Sequence, residues 1–245
     1  MSKFNIIKLD ATASTNDWLK DEFLSGNCSD RDVLWVKNQT QGRGQRNKTW
    51  ESDPGKNLTF SLFKEFANLG ARHSFLINCA VTLSIVKALD EVTNIDLRLK
   101  WPNDILSGKK KIGGVLIENM VKGERIVNSI IGIGINVNQK QFFALPHASS
   151  LLLQSGKKFD IADLLEKILK FLDLNLEIVS QNRGQELLEQ YESLLFQKGE
   201  GINFRHQSEK FKGIIMGVTE NGLLRVQKTS GMVCNFSHGS IEMLY

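Results

Sequence analysis

Residues 39–50 read QTQGRGQRNKTW and combine alternate glycines with basic side chains. Gly42 and Gly44 let successive backbone N–H groups turn towards one point, where Arg43 and Arg46 would add charge-assisted hydrogen bonds to an anion. A solvated surface loop has the same composition, because glycine suits turns and charged side chains suit water. This segment alone leaves both interpretations open.

Residues 100–106 read KWPNDIL and place an amide and a carboxylate at the end of a strand. The alternation of LRLKW predicts that strand, and Pro102 ends it. Asn103 and Asp104 offer hard oxygens, which suit Mg²⁺ held jointly with a phosphate. A simple Pro-Asn-Asp turn explains the same residues, so a structural turn is the alternative to a metal and phosphate site.

A lysine precedes two glycines in KKKIGGVLIE. Lys111 is the lysine nearest the strand, and Gly113 and Gly114 would let a ligand approach the backbone. An ordinary surface lysine is the alternative for Lys111 when this stretch is taken alone.

The stretch SIIGIGINVN places Gly132, Gly134 and Asn136 on the strand face opposite its apolar residues. Two missing side chains and one amide leave room for something flat against that face. Taken together, the glycine loop, the Asn-Asp turn, the lysine and this face predict a site for a small ligand plus a nucleotide, with lysine and Mg²⁺ stabilising phosphate charge.

Local patterns predict the elements that would position these residues. A capped helix is expected over residues 14–24, a half-buried strand over 57–63, and a helix largely covered by a sheet over 71–92. Further amphipathic helices are predicted over 161–179 and 187–195, as packing elements without chemistry. After residue 199, short strands and an Asn-Gly turn predict a separate small β-barrel.

Composition limits the classes of function. The chain has 245 residues, 41% of them hydrophobic, and a net charge of +4 with no basic arm, so a local anionic ligand is favoured over a polyanion. Three dispersed cysteines and four histidines lack disulfide or zinc spacing. The N-terminus has no apolar secretion signal and no membrane-spanning apolar run occurs, which predicts a cytoplasmic protein without a membrane partner.

In this order, the segments STN (residues 14–16), GRGQR with a following tryptophan, KWPND, KIGG and GIGIN resemble the biotin protein ligase family, also called biotin-[acetyl-CoA carboxylase] ligase or holocarboxylase synthetase. The resemblance covers nearly the whole chain. It implies a ligase that uses ATP, biotin and Mg²⁺: biotin is activated as biotinyl-5′-AMP with release of diphosphate, and is then joined to a lysine of a biotin carboxyl carrier domain.

The resemblance also implies roles for individual residues. The biotin pocket would be formed by Ser14, Thr15, Asn16, Gln39, Gly42, Arg43, Gly44, Gln45, Lys111, Gly114 and Gly132. The nucleotide would be bound by Arg46, Trp50, Asn103, Asp104, Lys111 and Asn136. Lys111 and Arg43 are the candidate catalytic residues, and Mg²⁺ would be held through the phosphates, with Asp104 as the candidate protein ligand.

Two features depart from the family pattern. Gln45 stands where the loop often has a second arginine, and Asn47 replaces its last glycine. These changes lead to the expectation that the loop retains the adenylate less firmly, although Arg46 supplies a displaced charge. Only 13 residues precede Ser14, too few for the winged-helix domain of some members, so a ligase without DNA binding is expected.

The implied fold is α/β (α+β), with a mixed, mostly antiparallel sheet backed by helices. Residues 1–197 would form a class II synthetase-like catalytic domain, and residues 198–245 a small C-terminal SH3-like β-barrel. An exposed sheet edge would serve the carrier domain and, in a homodimer, a second copy of the chain.

Two alternative functions stay open at this point. A lipoate or octanoate ligase shares the superfamily fold and the adenylate chemistry, but it needs a channel for a flexible acyl chain; KWPND and GRGQR favour biotin. A peptide-binding or nucleic-acid-binding module would explain the C-terminal barrel, but it leaves the N-terminal cluster of motifs unexplained.

Overall fold

The computed structural model describes residues 4–143, 145–181 and 183–244, and the side chain of Asn47 also lies outside that description. Over the described residues, the strands are β1 (Asn5–Thr12), β2 (Asp32–Gln39), β3 (Leu58–Gly70), β4 (Leu97–Lys100), β5 (Asp104–Ser107), β6 (Lys110–Lys122), β7 (Arg125–Ile135), β8 (Gly201–His206), β9 (Glu209–Val218), β10 (Leu224–Lys228), β11 (Val233–Phe236) and β12 (Ile241–Leu244). The helices are α1 (Thr15–Leu24), α2 (Ser74–Asp90), α3 (Leu151–Ser155), α4 (Ile161–Ser180) and α5 (Gln185–Ser193).

The large sheet has the strand order β1-β2-β3-β7-β6-β5-β4. Its first pair, β1 and β2, is parallel, and every other neighbouring pair is antiparallel. This confirms the predicted mixed, mostly antiparallel sheet. The sequence patterns above predict none of β1, β2, β5 and α3.

Neighbouring residues of β3 and β7 show that the two sheet faces have different coverings. Leu62 and Ile131 are paired in register and belong to the main core, which contains α2, α4 and α5. The next pair, Phe63 and Ile130, lies on the opposite face and packs with Leu19 of α1. Side chains alternate along a strand, so Gly132 and Gly134 share the α1 face of the sheet.

The covering helices form where the sequence patterns predict them. Ser14 caps α1, with its side chain accepting a hydrogen bond from the backbone of Asp17. Asp160 caps α4 and accepts from two backbone N–H groups. α2 is buried over most of its length between the sheet and α4, in agreement with its lack of a polar face. The helix predicted over 187–195 is confirmed as α5, which starts two residues earlier and ends at Ser193.

The C-terminal strands form a second sheet of order β11-β10-β9-β8-β12. It confirms that the predicted short C-terminal strands form a small sheet. In the described part of the chain no strand ladder joins its two edges, β11 and β12, so a closed barrel stays a prediction. Trp101 Nε1 donates to Gly222 O at 3.0 Å, and Glu192 Oε1 accepts from Val218 N at 2.6 Å, so this sheet is docked on the larger unit. The domain division at residues 197 and 198 stays a prediction.

Within the described ranges, no helix is long and apolar enough to cross a membrane.

Candidate active site

A cavity of about 890 Å³ opens between the start of α1, the glycine loop, the β4–β5 turn, the glycine face of β6 and β7, and the C-terminal sheet. Most of the predicted site residues line it: Ser14, Thr15, Asn16, Gln39, Arg43, Gly44, Gln45, Arg46, Trp50, Asn103, Asp104, Lys111, Gly114 and Gly132. The fold therefore brings into one place motifs that run from residue 14 to residue 132 of the sequence.

Two predicted residues lie outside the cavity wall. Gly42 is buried within the loop, and a Cβ there would collide with the backbone of Trp50 and the side chain of Gln39, so this glycine has a packing role. Asn136 is also buried; its Nδ2 donates to Ser149 O at 2.9 Å. β7 ends at Ile135, so the alternation that puts Gly132 and Gly134 in the cavity does not extend to Asn136.

At one end of the cavity, neutral polar groups form a hydrogen-bonded cluster. Gln39 Oε1 accepts from the backbone N and the hydroxyl of Thr15, at 2.8 and 3.0 Å. The Ser61 hydroxyl lies 2.6 Å from both Thr15 Oγ1 and Asn16 Oδ1. Ser61 is fully buried and supports this cluster from outside the cavity wall. Sequence reasoning did not single it out, although it stands on the polar face of the alternating NLTFSLF stretch. The cluster fixes the α1 start against β3.

Glu118 connects this cluster to the glycine loop. Its Oε2 accepts from Asn16 Nδ2 at 2.6 Å and from Arg43 Nη2 at 2.9 Å. Arg43 also forms an ion pair with Asp17 at 2.6 Å. Sequence reasoning missed Glu118, but the period of two placed it on the same face of β6 as Gly114. Two carboxylates therefore neutralise Arg43 within the protein itself.

The glycine loop is folded as a small hairpin. Arg43 and Thr49 form an antiparallel bridge, Gly44 N donates to Lys48 O at 2.6 Å, and Trp50 N donates to Gly42 O at 2.9 Å. These bonds fix the shape of the loop, which lines the cavity together with Trp50.

The indole of Trp50 occupies the flat space predicted on the glycine face. A Cβ on Gly134 would lie 2.5–2.8 Å from its ring atoms, and one on Gly114 would lie 3.3 Å away. Lys111 Nζ stands 5.5 Å from the ring centroid. Trp50 Nε1 is buried with no hydrogen-bond partner among the described residues. Only glycine at 134 admits the ring this close to the sheet.

The backbone of Lys111 is hydrogen-bonded through both its N and its O, and its side chain faces a carboxylate. Its backbone N donates to His147 O at 2.7 Å and its O accepts from Ser149 N at 2.8 Å, while Nζ pairs with Asp104 Oδ1 at 2.6 Å. Asn103 Nδ2 donates to Val115 O, which ties the β4–β5 turn to β6. No cluster of three His, Cys, Asp or Glu side chains suited to a metal occurs in the described ranges.

The C-terminal sheet supplies a wall that the sequence did not reveal. Its lining residues are Arg205, Gln207, His238, Gly239, Ser240, Ile241, Glu242, Met243 and Leu244. No local signal marks them, because they reach the cavity only through domain docking. His238 packs edge-on against Trp101, with the ring centroids 5.8 Å apart. Burial, followed by the charge of Arg46, lowers the pKa of His238; Lys48 acts the same way and Asp104 opposes it.

The cavity thus has two chemical halves. Neutral donors and acceptors at the α1 start suit an uncharged polar ring system. Arg43, Lys111 and Asp104, beside an indole, suit phosphate and a planar base. A ligand pair made of a small polar molecule and a nucleotide fits this division.

Residues 9–136 match the biotin/lipoate A/B protein ligase family. Among curated proteins, the chain is 27% identical to the bifunctional ligase/repressor BirA of Bacillus spizizenii over 93% of this chain and 71% of that protein. It is 28% identical to the biotin–[acetyl-CoA-carboxylase] ligase of Mycobacterium tuberculosis over 74% of this chain and 66% of that protein.

Among solved structures, the fold is similar to the biotin protein ligase from Aquifex aeolicus in complex with biotin and ATP. The TM-score is 0.81 at 30% identity, covering 98% of both chains. A mutant of the Aquifex aeolicus ligase in complex with biotin gives a TM-score of 0.80 at 30% identity, over 100% of this chain and 99% of that chain.

Proposed function

This chain belongs to the biotin/lipoate A/B protein ligase family, and from that premise we propose that its cavity joins biotin to ATP and passes the biotinyl group to a lysine of a biotin carboxyl carrier domain. The observation that carries the proposal is the meeting, in one cavity, of the neutral cluster at the α1 start with Lys111, Asp104 and Trp50. One half recognises an uncharged ring system, and the other half stabilises phosphate charge.

The first half-reaction brings two anions together. A carboxylate oxygen of biotin forms a bond to the α-phosphorus of ATP, the bond from that phosphorus to the bridging oxygen breaks, and diphosphate leaves. Cationic side chains must offset the repulsion before the atoms can meet. Lys111 and Arg43 lie on the cavity wall, and each forms an ion pair with a protein carboxylate. The reaction therefore requires them to exchange carboxylate partners for the substrates.

In the second half-reaction, the acceptor amine attacks the acyl carbon of the mixed anhydride. The C–O bond to AMP breaks, AMP leaves with the electron pair, and the amine proton passes to solvent. Hydrogen bonds of the Lys111 backbone N and O fix the point on the cavity wall from which its side chain reaches the substrates in both steps. Trp50 would stack on the adenine, and Asn16 and Gln39 would position the ureido ring of biotin.

Mg²⁺ is compatible with these residues. The ion commonly takes one or two carboxylates plus substrate phosphates instead of an all-protein cage. Asp104, with a carboxylate 23% exposed on the cavity wall, is the protein group that would hold it, and Asn103 lies beside it. When bound, the ion would neutralise phosphate charge.

The test of this function is exchange of labelled pyrophosphate into ATP by the purified protein with Mg²⁺, comparing biotin with lipoate and octanoate. Exchange that depends on biotin alone is expected. Exchange with lipoate or octanoate but not with biotin would assign the chain to the lipoate-ligase branch of the family. No exchange with any of the three acids would reject adenylation.

Lys111→Ala is expected to slow this exchange by roughly one to two orders of magnitude, because one charge-assisted bond is worth ~1.5–3 kcal/mol. The protein should remain folded, since the side chain is 36% exposed. Lys109→Ala, in the same basic cluster but outside the cavity wall, is the matched control. Equal rates in the two variants would remove Lys111 from the mechanism.

The carrier domain is proposed to dock on the edge of β6 that is not paired with β5. β5 pairs with β6 only as far as Gly114, and beyond it no described strand covers this edge. Val121, 54% exposed, lies on this segment. Val121→Lys should raise the KM for the carrier and leave pyrophosphate exchange unchanged. An unchanged KM would place docking elsewhere.

A further inference from the structure

The guanidinium of Arg46 lies directly on a turn of the C-terminal sheet. The space that a Cβ on Gly239 would need is filled by Nη1, Nη2 and Cζ of Arg46. Arg46 stands at the tip of the glycine loop, and Gly239 belongs to the turn between β11 and β12. The tip of the glycine loop therefore touches the C-terminal sheet at a position where a Cβ would have to displace the guanidinium.

The turn itself is well anchored. Ser240 N donates to Ser237 O at 3.0 Å, and Ser240 O lies 2.6 Å from His206 Nδ1. His238, which lies between Ser237 and Ser240 in this turn, packs on Trp101, the tryptophan of KWPND. The turn thus contacts both the glycine loop, through Gly239, and the KWPND segment, through His238.

Arg46 adopts a backbone conformation that side chains seldom take. Its φ of 57° and ψ of 48° lie in the left-handed region, which costs energy for a residue with a Cβ. Such a conformation persists only where surrounding contacts hold it. The contact between the Arg46 guanidinium and Gly239 is one that can hold this backbone conformation, because it fixes the far end of the same side chain.

We propose that the contact between Arg46 and Gly239 is a latch between the two units, which keeps the glycine loop closed over the cavity, and that Gly239 is its positioning residue. The loop carries Arg43 and Trp50, so an open loop withdraws one cation and the indole from the site. Retention of the adenylate by this latch rests on the proposed function; loop closure itself does not.

Hydrogen exchange of the protein alone tests the latch directly. The reporting amides are those of Gly44, Lys48 and Trp50, which are hydrogen-bonded within the closed loop. Gly239→Ala should lower their protection by about tenfold or more, because the added methyl displaces the guanidinium.

Gly231→Ala is the matched control. Gly231 has a φ of 85° against 75° for Gly239, so both substitutions carry the same kind of backbone strain. Nothing lies within 4 Å of a Cβ on Gly231. Equal protection of the loop in the two variants would overturn the latch.

Arg46→Ala is a second way to remove the contact, and it changes no residue of the C-terminal sheet. It should open the loop by itself, and adding Gly239→Ala to it should change protection no further. Additive effects of the two changes would show that Gly239 acts independently of Arg46, and normal protection in Arg46→Ala would equally reject the latch.

The functional arm measures release of preformed biotinyl-5′-AMP. Gly239→Ala should release it about tenfold faster than Gly231→Ala, since closing contacts act mainly on dissociation. Biotin-dependent pyrophosphate exchange by the unsubstituted protein is measured first: its absence rejects the proposed function, whereas exchange together with equal release from both variants rejects the latch.

Discussion

At the scale of single residues, Gly132 and Gly134 divide the cavity between the two proposed substrates. Gly132 faces Asn16 at the α1 start, and Gly134 faces the indole of Trp50. They stand two positions apart on one face of β7, so each neighbour needs the space left by one missing side chain. Adding one methyl group at either position should therefore disturb one substrate and spare the other.

Gly132→Ala is expected to raise the KM for biotin. The methyl group would collide with the Asn16 side chain, which is held by Glu118 and Ser61 and cannot withdraw freely. Overpacking costs roughly 1–3 kcal/mol, or about one to two orders of magnitude in affinity. The KM for ATP should change little. An unchanged KM for biotin would contradict the placement of biotin at the α1 start.

Gly134→Ala should show the opposite selectivity. Its methyl would meet ring atoms of Trp50 at 2.5–2.8 Å and push the indole out of the face it covers. The KM for ATP is expected to rise by about one order of magnitude, with the KM for biotin nearly unchanged. Gly70→Ala, where a Cβ has only ordinary contacts beyond 3.4 Å, is the control. If biotin suffers instead, Trp50 does not mark the nucleotide side.

At the scale of elements, local patterns were sufficient where the cause is local. Ser14 caps α1 and Asp160 caps α4, because a side-chain oxygen at that position satisfies free backbone N–H groups. Alternation along β7 placed Gly132 and Gly134 on one face for a similarly local reason. It failed at Asn136, because the strand ends at Ile135 and periodicity does not say where pairing stops.

Asp160→Ala is expected to lower the free energy of unfolding by ~1 kcal/mol, within a range of about 0.5–2 kcal/mol for loss of an N-cap. Asp160 Oδ1 accepts from Ala162 N at 2.8 Å and Asp163 N at 3.0 Å, and neither bond survives the substitution. Denaturant unfolding measures the change, with Glu166→Ala on the exposed side of the same helix for comparison. A loss no larger than that of the comparison variant would count against the cap.

At the scale of the whole molecule, contacts made by docking could not be predicted from local patterns. The parallel pairing of β1 with β2 and the wall supplied by residues 238–244 depend on long-range packing, for which no spacing rule exists. Glu118 was accessible in principle because it shares a strand face with Gly114, and Ser61 because it stands on the polar face of an alternating strand, but the partners of both are distant in the sequence.

His238, at the junction of the two units, should make stability depend on pH. Its pKa is lowered by burial and then by Arg46, with Lys48 in the same direction and Asp104 against it, so the folded protein binds fewer protons there than the unfolded chain. The free energy of unfolding should therefore rise with pH across the window that ends near 6.5, the ordinary histidine value, and fall as the pH drops through it.

The measurement is denaturant unfolding at a series of pH values below and through 6.5. His238→Gln should remove part of this slope, while His73→Gln, which is outside the cavity wall, should keep it. Arg46→Ala should raise the pKa of His238 in an NMR titration, since Arg46 is the positive charge that lowers this pKa most. Identical slopes for the two histidine variants would contradict the assignment.

The position of Trp50 gives the protein an optical signal of its own. Its indole N–H has no partner in the described structure, and the ring lies on the wall where a nucleotide is proposed to bind. Indole emission responds to the polarity of its surroundings, so a purine stacked on the ring, or a loop that swings it into water, would change the fluorescence. The chain has four tryptophans, and the difference between the parent protein and Trp50→Phe isolates this one, which allows occupancy and loop opening to be followed in real time without an attached dye.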